Sequence, residues 1–104
     1  MKHSVEYTEL SKADLKKLDN SQSKIVRKAI DKVSENPLSK AEGGYGTPLG
    51  NKRGRNLTGL YRIKLLKLGI RVVYEIIKAD SIMKIIVISV RADDEVYEIA
   101  ARRT

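Results

Sequence analysis

Three cationic side chains, Arg62, Lys64 and Arg71, are spaced so that one patch of surface could hold an anion. Apolar and polar residues alternate from Tyr61 to Leu65 and again from Ile70 to Ile77, the period of half-buried strands, and Gly69 supplies a turn between them. With Leu68 and Gly69 as a two-residue loop, Lys67 lies opposite Ile70, Lys64 opposite Val73 and Arg62 opposite Glu75. One face then carries Tyr61, Ile63, Leu65, Val72, Tyr74 and Ile76 as core. The other carries Arg62 and Lys64, with Arg71 diagonal to Lys64 and close enough for long side chains to converge on one ligand. The same pattern also suits an ordinary solvated strand face, with Arg62 and Glu75 as a surface ion pair, and the hairpin alone leaves both readings open.

The elements that must position these groups belong to a chain of 104 residues, the size of a single domain spanning 1–104. There is no cysteine, which excludes a disulfide scaffold, a thiolate metal site and a cysteine nucleophile. His3 is the only histidine, near the N-terminus, so histidine-based catalysis or metal ligation has little to work with, and no cofactor or metal is expected. The net charge of +8 favours a polyanionic partner such as nucleic acid, an acidic protein or a membrane surface. No apolar run is long enough to span a bilayer, and the N-terminus lacks the apolar core of a signal peptide, so a cytoplasmic protein without a membrane partner is expected.

Taken in order, His3 to Tyr7 alternates weakly as a short strand. Ser11 is expected to cap a first helix from Lys12 to about Leu18, with Leu10 stapled to Leu15. Ser21 or Ser23 would cap a second helix to about Glu35, apolar along Ile25, Val26, Ala29, Ile30 and Val33, and stopped by Asn36-Pro37. From Leu38 to Thr58 periodicity disappears among glycines, which predicts a long loop with Lys52, Arg53 and Arg55 as its basic tip. These three cations suit a solvated or RNA-contacting surface better than catalysis. Ile82 to Val90 is nearly all apolar and predicts a strand covered on both faces. Ala92 to Arg103 predicts a final helix, acidic at its start and basic at its end, with Val96, Ile99 and Ala100 inward. The expected fold is α+β: an antiparallel-rich sheet of about four strands, a helical hairpin packed on one face and a short C-terminal helix.

The run Gly59-Leu60-Tyr61-Arg62-Ile63-Lys64-Leu65 leading into Gly69-Ile70-Arg71-Val72-Val73-Tyr74-Glu75, the later Arg91-Ala92-Asp93-Asp94-Glu95-Val96-Tyr97, and Tyr45-Gly46-Thr47-Pro48-Leu49 before them together resemble the RelE branch of the RelE/ParE toxin superfamily. The resemblance covers nearly the whole chain. It implies the toxin of a toxin-antitoxin pair, one that enters the ribosomal A site, cleaves messenger RNA there and is held inactive by a cognate antitoxin. Carried over by motif, the working groups fall on Arg62, Lys64, Arg71, Arg91 and Tyr97. Val90 runs straight into Arg91, where the family often has a glycine and a basic residue.

The chemistry that this resemblance implies is attack of a 2′-hydroxyl on the adjacent phosphorus, leaving a cyclic phosphate and requiring no metal. Lys64 would be the general base, its protonated form disfavoured by the neighbouring Arg62 and Arg71. Arg71 and Arg91 would stabilise the phosphate charge, Arg62 would bind the backbone or assist the leaving oxygen, and Tyr97 would stack on a base. Tyr97 could instead simply pack its helix on the sheet, and Arg91 could pair with Asp93 or Asp94. Two rivals share the composition: a ParE-like protein that poisons DNA gyrase without nuclease chemistry, and a plain basic nucleic-acid-binding module.

Overall fold

The computed structural model describes residues 2–52, 55–90 and 93–104. Strand β1 (Ser4–Tyr7) leads into helices α1 (Glu9–Lys16) and α2 (Asn20–Ser34); strands β2 (Thr47–Lys52), β3 (Arg55–Leu65), β4 (Ile70–Ile77) and β5 (Ile82–Ser89) follow, and helix α3 (Asp93–Arg103) ends the order. The strands form one sheet in the order β1-β5-β4-β3-β2. Among the described strands only the β1–β5 pair is parallel. Among the described residues, no helix is long and apolar enough to cross a membrane.

Both faces of this sheet are covered, which is why β4 and β5 are so apolar. On one side Leu15 of α1 and Val26, Ile30 and Val33 of α2 pack on Ile63, Ile70, Val72, Tyr74, Met83, Ile85 and Ile88. On the other, Val96, Tyr97 and Ala100 of α3 pack on Leu49, Leu57, Leu60, Val73, Ile86 and Val87. A one-residue bulge at Ile86 reconciles β5 with two cores. Val73 pairs with Val87 but Tyr74 pairs with Ile85, so the extra residue turns both Ile86 and Val87 toward α3.

Several sequence expectations are corrected here. The segment expected as a loop from Leu38 to Thr58 contains all of β2 and the start of β3, giving a five-stranded sheet. The sequence of β2, TPLGNK, carries one buried apolar residue, Leu49, and its stability comes from backbone pairing to β3, which leaves no periodic signal. Thr8, not Ser11, caps α1: its hydroxyl accepts from Ser11 N at 3.0 Å, while the buried Ser11 hydroxyl donates back to Thr8 O at 2.9 Å. Leu10, placed inside the helix by this earlier start, is exposed and not stapled to the core. Asp19 caps α2, its carboxylate accepting from Gln22 N and the Ser21 hydroxyl, both at 2.8 Å. An acceptor two to four residues upstream wins in each case because it reaches the free amides of the first turn.

The β3–β4 register also differs. Leu65 pairs with Ile70, so the turn is four residues, Leu66 to Gly69, and Lys64 lies directly opposite Arg71, Arg62 opposite Val73 and Leu60 opposite Glu75. Leu68 folds back onto the helix-side core, which a two-residue loop would not permit. The pairing is displaced by two residues, so every side chain keeps its expected face.

Two side chains tie the layers together around the edge of the sheet. Arg103, in the last turn of α3, donates to the Asp14 carboxylate of α1 at 2.7 and 3.3 Å and to the Ile86 carbonyl at 2.8 Å. The same carboxylate accepts from Ile88 N at 3.0 Å.

Candidate functional site

The cations that the sequence singles out sit on the α3 face of the β3–β4 ladder. Arg62 is half-buried where α3 crosses β3, and its guanidinium donates to the Tyr97 hydroxyl at 2.5 Å. Two residues further along, Lys64 is exposed and directly opposite the half-buried Arg71. Directly opposed residues bring their Cβ atoms to roughly 5 Å, so the structure places this lysine and arginine nearer than the diagonal arrangement would. Arg71 also donates to the carbonyl of Gly69, at 3.3 Å, which steadies its stem beside the turn. Like charges so placed disfavour one another, and an anion bridging them relieves that cost.

Tyr97 is 5% exposed, its ring enclosed by the apolar side chains under α3. That enclosure leaves its hydroxyl, and not the face of its ring, for a part in the site. The helix face expected from Val96, Ile99 and Ala100 is therefore wider by one residue, and Tyr97 both packs α3 and reaches Arg62.

Arg71 pairs on its other side with Ser89 of β5. The expected contributor Arg91 follows Ser89 by two positions and lies outside the described residues, as does Arg53. Lys52 and Arg55 pair with each other at the far end of the β2–β3 hairpin, so the basic tip is carried by a strand pair and not by a long loop.

A buried tyrosine sets the approach to Arg62 from the opposite side of the sheet. Tyr74 stacks on Tyr61 with ring centroids 5.4 Å apart, and its hydroxyl donates to Pro37 O at 2.7 Å. Burial first, and Tyr61 second, push the Tyr74 phenol well above its ordinary value. Gly46 passes so close that a Cβ there would lie 2.2 Å from the Tyr74 hydroxyl. The next residue, Thr47, pairs with Arg62. In the sequence, Tyr45-Gly46-Thr47 stands only within a stretch that resembles the toxin family's. The stack and the Tyr74 anchor fix where that segment joins the sheet, beside Arg62.

Along the row Lys64 is exposed while Arg62 and Arg71 are half-buried. A concavity of about 420 Å³ lies elsewhere, lined by Asp14, Leu18, Ile88, Val90 and Arg103 at the β5 edge. A row of cations along one strand pair suits the regularly spaced charges of an extended polyanion.

The fold, a helical hairpin on one face of a mixed sheet and a terminal helix on the other, is similar to that of solved toxins. The free form of a doubly arginine-substituted Escherichia coli toxin RelE superposes with a TM-score of 0.76 at 27% identity, covering 99% of this chain and 98% of that one. The isolated E. coli RelE toxin gives 0.70 at 25% identity, covering 97% of both chains. A toxin-antitoxin complex, RelBE2 from Mycobacterium tuberculosis, shares the fold with a TM-score of 0.67 at 24% identity, covering 88% of this chain and all of that one, 100%. No curated protein sequence matches the chain. The family model described as the ParE toxin of the type II toxin-antitoxin system, parDE, matches residues 5–97, and the chain belongs to this ParE/RelE toxin family.

Proposed function

We propose that this toxin is a ribosome-dependent endoribonuclease that cuts messenger RNA in the A site by attack of a 2′-hydroxyl on the neighbouring phosphorus. The observation that carries this reading is the row Arg62, Lys64 and Arg71 on one rigid strand pair, with Arg62 held by Tyr97. A nuclease of this kind must take a proton from the 2′-hydroxyl, hold the pentacovalent anion and let the 5′-oxygen leave. Lys64, exposed at the outer part of the row, is the proton acceptor. Arg71, directly across from it, lays a guanidinium against the charge that develops on phosphorus. Arg62, oriented by the phenol, binds the adjoining phosphate or the leaving oxygen, and Arg91 adds a further cation. Lys52, Arg53 and Arg55 contact ribosomal RNA.

Proton acceptors and cations of this kind are modest catalysts, so positioning supplies much of the rate, and RNA held by a ribosome is the better substrate than free RNA. The net charge of +8 fits the same partners. A cognate antitoxin is proposed as well, since solved relatives include E. coli RelE bound to a peptide of the antitoxin RelB and the E. coli RelBE complex. Its acidic and apolar segment would cover the basic face or displace the last helix.

The family model that matches the chain is that of a ParE toxin, which favours a second reading: inhibition of DNA gyrase by binding. Induction in growing bacteria, with primer extension on messages and trapping of gyrase on DNA, separates the two. Codon-positioned cuts on translating ribosomes support the nuclease. Stalled gyrase with intact messages supports the inhibitor. Neither result leaves a basic nucleic-acid-binding module.

A further inference from the structure

Helix α3 rests on a small apolar footing, chiefly Val96, Tyr97 and Ala100. Eleven residues make a helix too short to be stable without tertiary contacts. Its position on the sheet therefore depends on what fastens its ends. Toward its start, the Tyr97 hydroxyl meets Arg62. At its finish, Arg103 reaches around the sheet edge to Asp14 on the opposite layer. The edge that the pair covers is a bare one, because β1 pairs with β5 only as far as Ile85. Just beyond, the Ile86 carbonyl accepts from Arg103 and Ile88 N donates to Asp14, so the ion pair occupies backbone groups that a neighbouring strand would otherwise use. Both side chains are mostly enclosed, 19% exposed for Arg103 and 11% for Asp14, so the pair has few alternative geometries.

We propose that Asp14 and Arg103 are positioning residues for the cation row: by fastening the end of α3 to the β5 edge they hold the Tyr97 hydroxyl against Arg62. A helix moves as a rod, and the six residue steps from Tyr97 to Arg103 span only about 9 Å. Slippage at Arg103 is therefore carried to the phenol almost undiminished. The functional consequence rests on the nuclease reading above, but the geometric claim does not.

The test follows the full-length protein labelled with carbon-13 at the tyrosine Cζ atoms, with Arg62→Met as the reference for a phenol that has lost its partner. In Asp14→Asn the Tyr97 resonance moves toward its Arg62→Met position, while those of Tyr61 and Tyr74 on the other face stay in place. Arg103→Gln gives the same displacement and carries the measurement if Asp14→Asn fails to fold, and Arg103→Lys, which keeps a cation, restores most of the native shift. On ribosome-bound message, single-turnover cleavage falls by about tenfold or more in the displaced variants with binding nearly unchanged. A Tyr97 resonance that stays at its native position in the folded variants overturns the proposal. So does one that moves only together with Tyr61 and Tyr74, since the pair would then be a general stabiliser. If the displacement occurs but the wild-type protein cuts no message, the positioning stands and the nuclease reading falls.

Discussion

Across the seam between β3 and α3 the guanidinium of Arg62 donates to the hydroxyl of Tyr97 at 2.5 Å. The ring lies in the apolar core and the hydroxyl meets the cation, so one side chain has separable parts. Tyr97→Phe keeps the ring and removes the hydroxyl. The expected loss of stability is about 1.5–3 kcal/mol, the range for a hydrogen bond to a charged group. The expected loss of single-turnover cleavage is about 10- to 100-fold, as a freed Arg62 loses its orientation. Tyr97→Ala should cost about 3–5 kcal/mol because it also empties the core beneath α3. If Tyr97→Phe cleaves at the native rate while melting normally, the phenol only packs the helix.

Lys64 tests the proton step. It is exposed and opposite Arg71, so Lys64→Ala should leave the melting temperature nearly unchanged. Cleavage should drop by orders of magnitude with a modest loss of ribosome binding. Parallel losses of binding and cleavage would make Lys64 an anchor for the RNA backbone and not a base.

What could be read in the sequence, and what could not, follows the range of the interactions involved. Strands β4 and β5 were legible because burial on one or both faces writes itself as alternation or as an unbroken apolar run. The shared face of Arg62, Lys64 and Arg71 was legible for a related reason: the actual turn is two residues longer, and a shift of two preserves every face. β2 was not legible, since its pairing is made by backbone and only Leu49 is buried. The helix starts are not legible because Thr8 and Asp19 stand just ahead of serines that would cap a later start equally well, a choice settled by local geometry. Nothing local marks the Asp14–Arg103 pair, whose members are 89 residues apart and meet only after both layers are in place. The burial of Tyr97 depends likewise on the hairpin arm that brings Leu49 and Leu57 beneath α3.

Gly46 is required by space. A Cβ there would lie 2.2 Å from the Tyr74 hydroxyl and 2.6 Å from Pro37 O, the two atoms of one buried hydrogen bond. Gly46→Ala must push that bond apart or shift the backbone. The expected cost is about 2–4 kcal/mol, from overpacking together with the strained bond. For a domain of this size that lowers Tm by roughly 10 °C or more. Because Thr47 pairs with Arg62, cleavage should fall further than the folded fraction does. Melting of Gly46→Ala at the native temperature would show that the loop has slack.

Tyr74 should make stability fall at high pH. Burial first and Tyr61 second hold its phenol above the ordinary 10.0, so the folded state keeps a proton that the unfolded state has released. Below that ordinary value both states are protonated and the contribution is fully present. As pH rises past it the unfolded chain binds fewer protons than the native one, and stability declines until the folded phenol also ionises. Tyr7 acts in the same sense: burial and then Asp31 raise it, against a smaller opposing effect of Arg27. Tyr74→Phe lacks the first of these groups and also lacks the bond to Pro37 O. It should be less stable than the native protein by about 1–2 kcal/mol near neutral pH. That gap should narrow above the ordinary tyrosine value of 10.0 and can reverse as alkalinity increases. Thermal melts of both proteins at steps from about pH 8 to about pH 11 measure it. A gap constant over that range would mean that the Tyr74 phenol ionises alike in the folded and unfolded states, contrary to its enclosure between Tyr61 and the Pro37 carbonyl.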